Sequence, residues 1–375
     1  MILAAKIQDP WNRVSIRHAV RNGLTLVELL IVMSVFLLVS AIALPTFRNL
    51  ISDQKVSQTS RTIVAYLDEA RSRAIAEGRF VGVRIDRYSN DASVDFRTSA
   101  GGRLRQLIGV PPYSGEAANS RVRFNYPTSG ATTATLEFSG VDNQLLVLYT
   151  DTNSSLYNKK NAPVKTGDWI ELPGGRYFQI NFTSYDNLTD TVTATIDLNS
   201  TRSGTATFPV IHEPLHDSSV KYKIHRAPVI STSQSLVFGR GIVVDMNYSG
   251  IGIDGNQFAP QSAVANQSID IVFGPDGRVE YASSDSIGTR SLPSGMIYLC
   301  VGETDGVQPS TPFNSDSRTP ANLMNSDSVW IVINPSTGRS VVAPNAAVNS
   351  TASMAAALRE GRSLASLSDT LDANP

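Results

Sequence analysis

The most apolar stretch of the chain lies near its start, from Leu24 to Leu44, and reads LTLVELLIVMSVFLLVSAIAL. About 20 consecutive apolar residues are enough for a helix to cross the hydrocarbon core of a bilayer. The one charged residue in the stretch is Glu28. An ionisable side chain inside a membrane segment is costly, and is therefore a functional candidate. The pattern predicts a transmembrane helix with one residue that has a role of its own.

A second helical pattern follows directly, over residues 45–78. Apolar residues recur at helical spacing on one face and charged residues fill the other, which predicts an amphipathic helix. Gly78 is a plausible C-cap that would end this helix. Its apolar stripe needs a partner, and the domain that follows is the obvious one. The stripe consists of Phe47, Leu50, Ile51, Ile63, Leu67, Ala70 and Ala74.

From Arg79 onward, short alternating runs separated by Gly, Pro, Asn, Asp and Ser predict antiparallel strands. Gly274–Gly277 and Asn334–Gly338 are tight-turn signals between strands. The predicted fold class is therefore α+β, a long N-terminal helix packed on an antiparallel β-sheet or sandwich head over 79–345. The runs are Phe80–Ile85, Leu145–Tyr149, Tyr177–Phe182, Thr191–Leu198, Gly241–Met246, Ile269–Phe273, Met296–Val301 and Val329–Ile333.

The last segment, 346–375, is rich in Ala, Ser, Asn and Asp. Within it, Met354–Leu367 is compatible with a short helix carrying a weak apolar stripe of Met354, Leu358 and Leu364. A frayed or mobile terminus is an equally good interpretation of this composition.

Composition and charge limit the class of protein. The chain has 375 residues, 41% of them hydrophobic, with 32 basic and 33 acidic side chains. This is a packed globular composition with no overall attraction to nucleic acid. The first 23 residues are basic, however, with one lysine and three arginines against Asp9 alone. The single cysteine, Cys300, cannot form an intramolecular disulfide, and it is best interpreted as a small buried hydrophobe in the run Met296–Val301.

Residues 1–23 thus form a basic leader before the apolar stretch. Positive charge on this side places the N-terminus in the cytoplasm and the bulk of the chain outside. Three interpretations of the stretch stay open on this basis. It is a plain anchor, a secretory signal peptide with a small-residue cleavage pattern at Ala41–Ala43, or a segment that is processed at its front and retained.

The third interpretation has a specific motif. Gly23-Leu-Thr-Leu-Val-Glu28 closely resembles the prepilin cleavage motif of type IV pilin-like proteins, including pseudopilins. The resemblance implies that prepilin peptidase cuts after Gly23 and methylates the new N-terminus at Leu24. It also implies that Glu28 pairs with the N-terminal amine of a neighbouring subunit and sets the register of assembly. Pro45 matches the helix-bending proline of many pilins, whereas Leu24 stands where the family often has Phe or Met.

The head carries a looser resemblance, to the H-type minor pseudopilins of type II secretion and related minor pilins. It rests on the strand–turn–strand Ile271–Val279, on Val329–Arg339 and on Leu236–Gly252, which occur in the expected order. Residues 100–230 are larger than expected for that family, and we expect inserted loops or extra strands there.

Together these resemblances imply a non-catalytic minor pseudopilin or minor pilin of a type II secretion pseudopilus or a type IV pilus. The chain would be a single-pass inner-membrane protein with a periplasmic or extracellular head. Its expected partners are prepilin peptidase, other pilins or pseudopilins in a helical filament, and inner-membrane lipid. We expect no cofactor and no catalytic residues.

One motif points elsewhere. His212-Glu213-Pro-Leu-His216 matches the HExxH pattern of zinc proteases, in which a helix places two His one turn apart. Pro214 disfavours a continuous helix at that point, and the flanking residues favour strands. A surface loop is the preferred interpretation, and a secreted zinc metalloprotease using His212, Glu213 and His216 is a remote alternative.

Three other patterns are weaker. Gly250–Gly255 has dinucleotide-type glycine spacing but is not followed by a helix pattern, which favours a Gly-rich turn. The acidic loops Asp151–Asn158 and Asp305–Asp316 lack a regular calcium ligand ladder. The arginines of Arg97–Arg105 and Arg121–Arg123 are the basis for an alternative function, a DNA-capture or adhesive minor pilin. Because the chain after residue 23 is mildly acidic, we expect nucleic-acid binding to be absent.

Overall fold

The computed structural model describes residues 25–125, 132–153, 164–173, 176–201, 219–232, 235–262, 266–283, 290–316, 318–349 and 351–371. Within these ranges, side chains are described except at 42–52, 176, 199–201, 290–291 and 368–371. The chain divides into two units, residues 1–51 and residues 52–375, and each is described by itself.

Helix α1 runs without interruption from Leu26 to Glu77. It ends where the sequence predicts, because Gly78 follows with a φ of +61°, the left-handed conformation that a C-cap glycine adopts at little steric cost. The helical backbone continues through Pro45. The bend expected at Pro45 stays a prediction.

The head consists of antiparallel strands and short helices, as the α+β fold class predicts. In chain order they are β1 Val81–Arg87, α2 Phe96–Ser99, β2 Ala100–Ile108, β3 Val122–Asn125, β4 Thr133–Ser139, α3 Gln144–Thr150, β5 Trp169–Leu172, β6 Arg176–Asp186, β7 Thr191–Thr201, β8 Ser219–Val220, β9 Lys223–His225, β10 Val229–Ile230, β11 Leu236–Val237, β12 Ile242–Ile251, β13 Ile269–Phe273, β14 Val279–Ser283, β15 Arg290–Ser291, β16 Ile297–Glu303, β17 Val329–Ile333, β18 Ser340–Pro344, α4 Met354–Gly361 and α5 Ser363–Leu371. Two short 3₁₀ helices, Thr304–Gly306 and Asn322–Met324, lie between β16 and β17.

The strands form two sheets. In the large sheet the strand order is β15-β14-β13-β1-β2-β12-β16-β17-β18, with β10 and β11 also paired to β2. Since successive residues of a strand point to opposite faces, β16 sends Ile297, Leu299 and Val301 to one face and Tyr298 and Cys300 to the other. Both faces of these central strands are therefore buried.

The first face of the large sheet packs on α1. Of the predicted stripe, Ile63, Leu67, Ala70 and Ala74 are all buried in one cluster with the strands, whereas the side chains of Phe47, Leu50 and Ile51 lie outside the described residues. The alanines at one end of the stripe are small, so the helix backbone can lie close to the strands there. For these four residues the partner is the following domain, as the sequence predicts.

Two glycine turns meet under α1. Arg71 Nε lies 3.1 Å from Gly277 O and 2.9 Å from Thr337 O, so one side chain of the helix binds both turns. Gly277 and Gly338 both have positive φ, and a Cβ on Gly338 would clash with the Gly277 carbonyl. The two turns predicted from the sequence are therefore the points at which the sheet is hydrogen-bonded to Arg71 of the helix.

Most of the expected insertion forms the second sheet, whose strand order is β8-β3-β4-β7-β6-β5-β9, whereas its first and last strands, β2 and β10, belong to the large sheet. Strands β8 and β9 stand at opposite ends of this order but are separated by only two residues of the chain, so the two edges of the sheet lie near each other. Its interior is a separate hydrophobic cluster that includes Phe138, Phe178 and Ile224. The run Leu145–Tyr149, predicted as a strand, is instead in helix α3. Its Leu146 and Tyr149 face this interior, and that burial favours the helix.

The C-terminal helices α4 and α5 cover the second face of the large sheet. Ala357, Leu358 and Ala365 pack in one cluster with Tyr298 and Trp330. Two interpretations of residues 346–375 were open, a short helix and a frayed terminus. The described residues 351–371 contain helices, as the first predicts, although Leu364 of the expected stripe is exposed.

Between α4 and α5, Arg362 is fully buried. Its guanidinium donates to the carbonyls of Gly252, Gly255 and Tyr248 and lies 4.8 Å from the centre of the Trp330 ring. Burial lowers the pKa of Arg362 to about 10. The C-terminal helices are thus bound to the sheet and its turn by an arginine that no local sequence pattern marks.

We predict that Arg71→Ala destabilises the head, because it leaves the Gly277 and Thr337 carbonyls without this charged donor. The expected loss is about 1.5–3 kcal/mol, the range for hydrogen bonds to charged groups. Urea unfolding of the full chain in detergent, followed by tryptophan fluorescence, measures it. Arg61→Ala, an exposed arginine of the same helix, is the matched control, and an equal loss in both variants would contradict the role of Arg71.

Candidate functional site at the start of the first helix

The described chain begins with a reciprocal cap on α1. The Thr25 N–H and Thr25 Oγ1 both lie within hydrogen-bond distance of Glu28 Oε2, at 3.0 and 3.2 Å. In return, the Glu28 N–H donates to Thr25 Oγ1 at 3.2 Å. The first intrahelical bond, from the Leu29 N–H to Thr25 O, is 3.1 Å long. Thr25 is therefore the N-cap and Glu28 the third helical residue of a capping box.

This arrangement explains what a carboxylate does at that position in a single chain. The first N–H groups of a helix have no intrahelical acceptor, and the helix dipole favours negative charge there. Glu28 is also exposed, so its carboxylate remains accessible to a further cationic group. Thr25 is the residue that sequence reasoning missed, although the signal, Thr followed three residues later by Glu, is visible in the sequence.

The helix beyond the cap is apolar around its whole circumference. From Leu26 to Val39 the large hydrophobic side chains are between 53 and 80% exposed. Ser34, the polar residue of this range beyond Glu28, donates its hydroxyl to Ile31 O within the helix, at 2.8 Å. A helix that is hydrophobic all round is stable only when an apolar environment surrounds it.

Among the residues that the structure describes, no helix combines the length and the apolar character that a membrane crossing needs.

Comparison with known families gives one match. Residues 19–44 match the model of the prokaryotic N-terminal methylation motif. The motif supports a type IV pilin-like protein. With the helix and the antiparallel head already described, the architecture is α+β and pilin-like. No curated protein and no solved structure matches the chain. The likeness of the head to H-type minor pseudopilins therefore stays a prediction.

The matched residues contain the whole predicted processing site. Gly23 and Leu24 lie outside the described residues, whereas Glu28 is placed in the first turn of α1 by the Thr25 cap. Pro45 lies one residue beyond the match. The motif implies processing by prepilin peptidase and assembly with other pilins.

The predicted zinc-protease motif is not within the part of the chain that the structure describes. His212, Glu213 and His216 lie outside the described residues. In the described ranges, no group of three or more His, Cys, Asp or Glu side chains is arranged to hold a metal ion. His225 lies on β9, where its Nε2 is 2.8 Å from Glu171 Oε2.

The Gly250–Gly255 pattern forms the end of a strand and a turn. β12 ends at Ile251, and turns rather than a helix follow. Gly252 has a φ of +83°, and its carbonyl accepts from Arg362 Nη1. The glycine spacing therefore serves a turn next to the C-terminal helices, as the sequence predicts.

Three arginines of the clusters proposed for DNA, Arg103, Arg105 and Arg123, lie beside carboxylates. Arg103 and Arg105 both bind Asp86, with Nε to Oδ2 distances of 2.9 and 2.6 Å. Arg123 Nη1 is 3.8 Å from Glu137 Oε2. Cross-strand pairs of this kind account for these arginines without a nucleic-acid ligand.

We predict that Thr25→Ala loosens the first turn of α1, because the side-chain acceptor for the Glu28 N–H is lost. N-cap substitutions cost about 1 kcal/mol, so amide hydrogen exchange at residues 27–29 should be about fivefold faster in the full chain in micelles. Ser34→Ala, which removes a hydroxyl of the same helix but no cap, should leave these amides unchanged. Unchanged exchange in Thr25→Ala would contradict the capping box.

Proposed function

We propose that this protein is a non-catalytic structural subunit, a minor pseudopilin or minor pilin, of a type II secretion pseudopilus or a type IV pilus. The observation that carries the proposal is the N-terminal methylation motif at residues 19–44. The capped, apolar start of α1 is consistent with it, since the large hydrophobic side chains from Leu26 to Val39 are exposed among the described residues and are available to neighbouring subunits.

In this proposal, prepilin peptidase removes residues 1–23 and methylates Leu24. The segment Leu24–Leu44 then anchors the chain in the inner membrane as a single pass, with the head on the periplasmic or extracellular side. The basic leader supports this orientation.

Glu28 has the central role in assembly. Removal of the leader creates a new N-terminal amine only four residues before Glu28. In an apolar environment an unpaired carboxylate is strongly disfavoured. When subunits stack, the amine of one chain can pair with the Glu28 of the next, which favours a single register. Thr25 holds the carboxylate in place until that pairing occurs.

The head fits a minor subunit better than a densely packed major one. It carries a complete second sheet with its own interior in addition to the large sheet. Such a bulky head limits how closely identical subunits can stack, which favours a position that is occupied once or rarely.

The mature N-terminus tests processing directly. Mass spectrometry of the protein from its native membrane should show a chain that starts at Leu24 and carries an N-methyl group. Gly23→Val should leave the full leader attached, because a bulky residue replaces the glycine at the cleavage site. A chain that starts at Leu44 means a signal peptide, and an intact leader in the unaltered protein means a plain anchor.

We predict that Glu28→Gln separates processing from assembly. The variant should reach the membrane and lose its leader, but its co-purification with other pilin-like subunits should fall at least tenfold, because the neutral amide cannot pair with an amine. Glu69→Gln, an exposed glutamate of the same helix, is the matched control. Normal incorporation of Glu28→Gln would remove the proposed role of this residue.

A further inference from the structure

Two neighbouring turns at one end of the second sheet each expose a large aliphatic side chain. Leu188, in the turn between β6 and β7, is 92% exposed, and Val141, in the turn between β4 and α3, is 71% exposed. A hydrogen bond of 2.7 Å from the Gly140 N–H to Asp190 O joins the two turns. A single exposed leucine is ordinary on a protein surface. Two such side chains on adjoining turns place a small apolar projection at this end of the sheet.

The turn that carries Leu188 is held in one conformation by its own polar groups. Asp186 accepts hydrogen bonds from the Leu188 N–H at 2.9 Å and from Thr189 Oγ1 at 2.8 Å. On the other side of the turn, Tyr185 donates its hydroxyl to Asp190 Oδ1 at 2.7 Å. These bonds fix the backbone around Leu188. A side chain that is presented from a pre-ordered turn loses little conformational entropy on binding.

The two turns also fit closely against each other. Asp190 has a φ of +46°, the left-handed conformation, and is the one non-glycine residue with positive φ among those that the structure describes. Aspartate adopts this region more readily than most residues. Opposite it, a Cβ on Gly140 would clash with the Asp190 carboxyl. This fit depends on both residues, and it fixes the turn of Leu188 relative to that of Val141.

Carboxylates flank both aliphatic residues. Asp142 follows Val141 directly, and Asp186 and Asp190 stand two residues before and after Leu188. The hydrogen bond from the Leu188 N–H is the main cause of the lowered pKa of Asp186, which therefore stays ionised at neutral pH. The rim of the apolar projection is thus acidic.

The segments that carry the two turns contain no positive charge to offset this rim. Residues 132–153 and 177–201 have six acidic side chains and no lysine, arginine or histidine. An acidic surface of this kind is repelled by anionic lipid headgroups and by the phosphates of nucleic acid. A symmetric contact between two copies through the same surface would place carboxylates against carboxylates. The occupant that complements both the apolar side chains and the rim is a different protein with a basic surface.

We propose that Val141 and Leu188 form a docking site for a partner protein, different from this chain, that offers an apolar pocket edged by lysine or arginine. The two aliphatic side chains enter the pocket, and the flanking carboxylates face its basic edge. Anchor side chains that fill a pocket carry most of the binding energy of an interface, and complementary charges at the rim steer the approach and fix the orientation. The docking site does not depend on the proposed role in a pilus, because it is built entirely within the second sheet.

Site-specific photocrosslinking of the full chain in its native host tests this. Benzoylphenylalanine in place of Asn187, an exposed residue beside Leu188, should crosslink to one partner protein. Mass spectrometry should map the bond to a residue next to a lysine or arginine. Leu188→Ser should lower the yield at least about fivefold, since loss of an anchor side chain weakens a contact by this order. Leu364→Ser, the same change at an exposed leucine of α5, is the matched control and should leave the yield unchanged.

A charge exchange tests the rim. Asp142→Lys should lower the yield, and replacement of the mapped lysine or arginine of the partner by aspartate should restore it, because the two charges are then opposite again. The urea-unfolding midpoint of Leu188→Ser should equal that of the unaltered protein, since this side chain is almost fully exposed. Val141→Ser repeats the test from the neighbouring turn should Leu188→Ser not fold.

Five results would overturn the proposal. They are the absence of a crosslinked product, crosslinks to lipid or to a second copy of this chain, a mapped partner site without a basic residue, an equal yield in Leu188→Ser and Leu364→Ser, and no restoration of the yield in the charge exchange.

Discussion

The packing of α1 on the first face of the large sheet is the contact on which the rest of the head depends. The stripe of Ile63, Leu67, Ala70 and Ala74 is buried almost completely, and it joins strands that are far apart in the chain, from β1 to β17. Since a helix lies across several strands at once, this contact fixes the strands relative to one another. Arg71 fixes the position of the helix along the sheet, because its hydrogen bonds to the two turns can both form in only one such position.

The second face of the large sheet is stabilised in a different way. There the cluster contains aromatic rings and buried polar groups, with Arg362 and Asp245 as the most deeply buried charges in or beside it. Arg87 is a third case, since its guanidinium donates to three backbone carbonyls and its pKa is lowered to about 10 by burial. Buried polar networks of this kind define one arrangement of the connecting segments and leave little tolerance for others.

The sequence predicts the elements that are governed by local pattern. The helix stripe, its end at Gly78, the strand Ile269–Phe273 and the turn at Gly274–Gly277 all follow from spacing and turn chemistry, and all are present. The run Leu145–Tyr149 was wrong as a strand because five consecutive apolar residues have no period that separates strand from helix. The burial of Leu146 and Tyr149 in the interior of the second sheet favours the helix for this run. A sequence does not show which cluster a side chain will join.

The functional and buried polar residues divide in the same way, into those that a local pattern marks and those that only the fold defines. Gly23 and Glu28 are recognisable because they belong to a short, local motif, and the Thr25 cap lies within that motif too. Arg362 and Asp245 are different, since each acquires its properties from segments more than 70 residues away. An arginine between two short Ala- and Ser-rich helices or an aspartate in a strand looks ordinary until the fold removes water from it.

The chain leaves the large sheet to form the second sheet and returns to the large sheet at the same place. Ile108 at the end of β2 pairs with Val229 of β10, so the 120 residues between them depart and return on neighbouring strands. With both ends together and an interior of its own, this segment is a modular insertion. Its length and surface can vary while the large sheet and α1 keep their packing, so one scaffold of helix and sheet can present different outer surfaces.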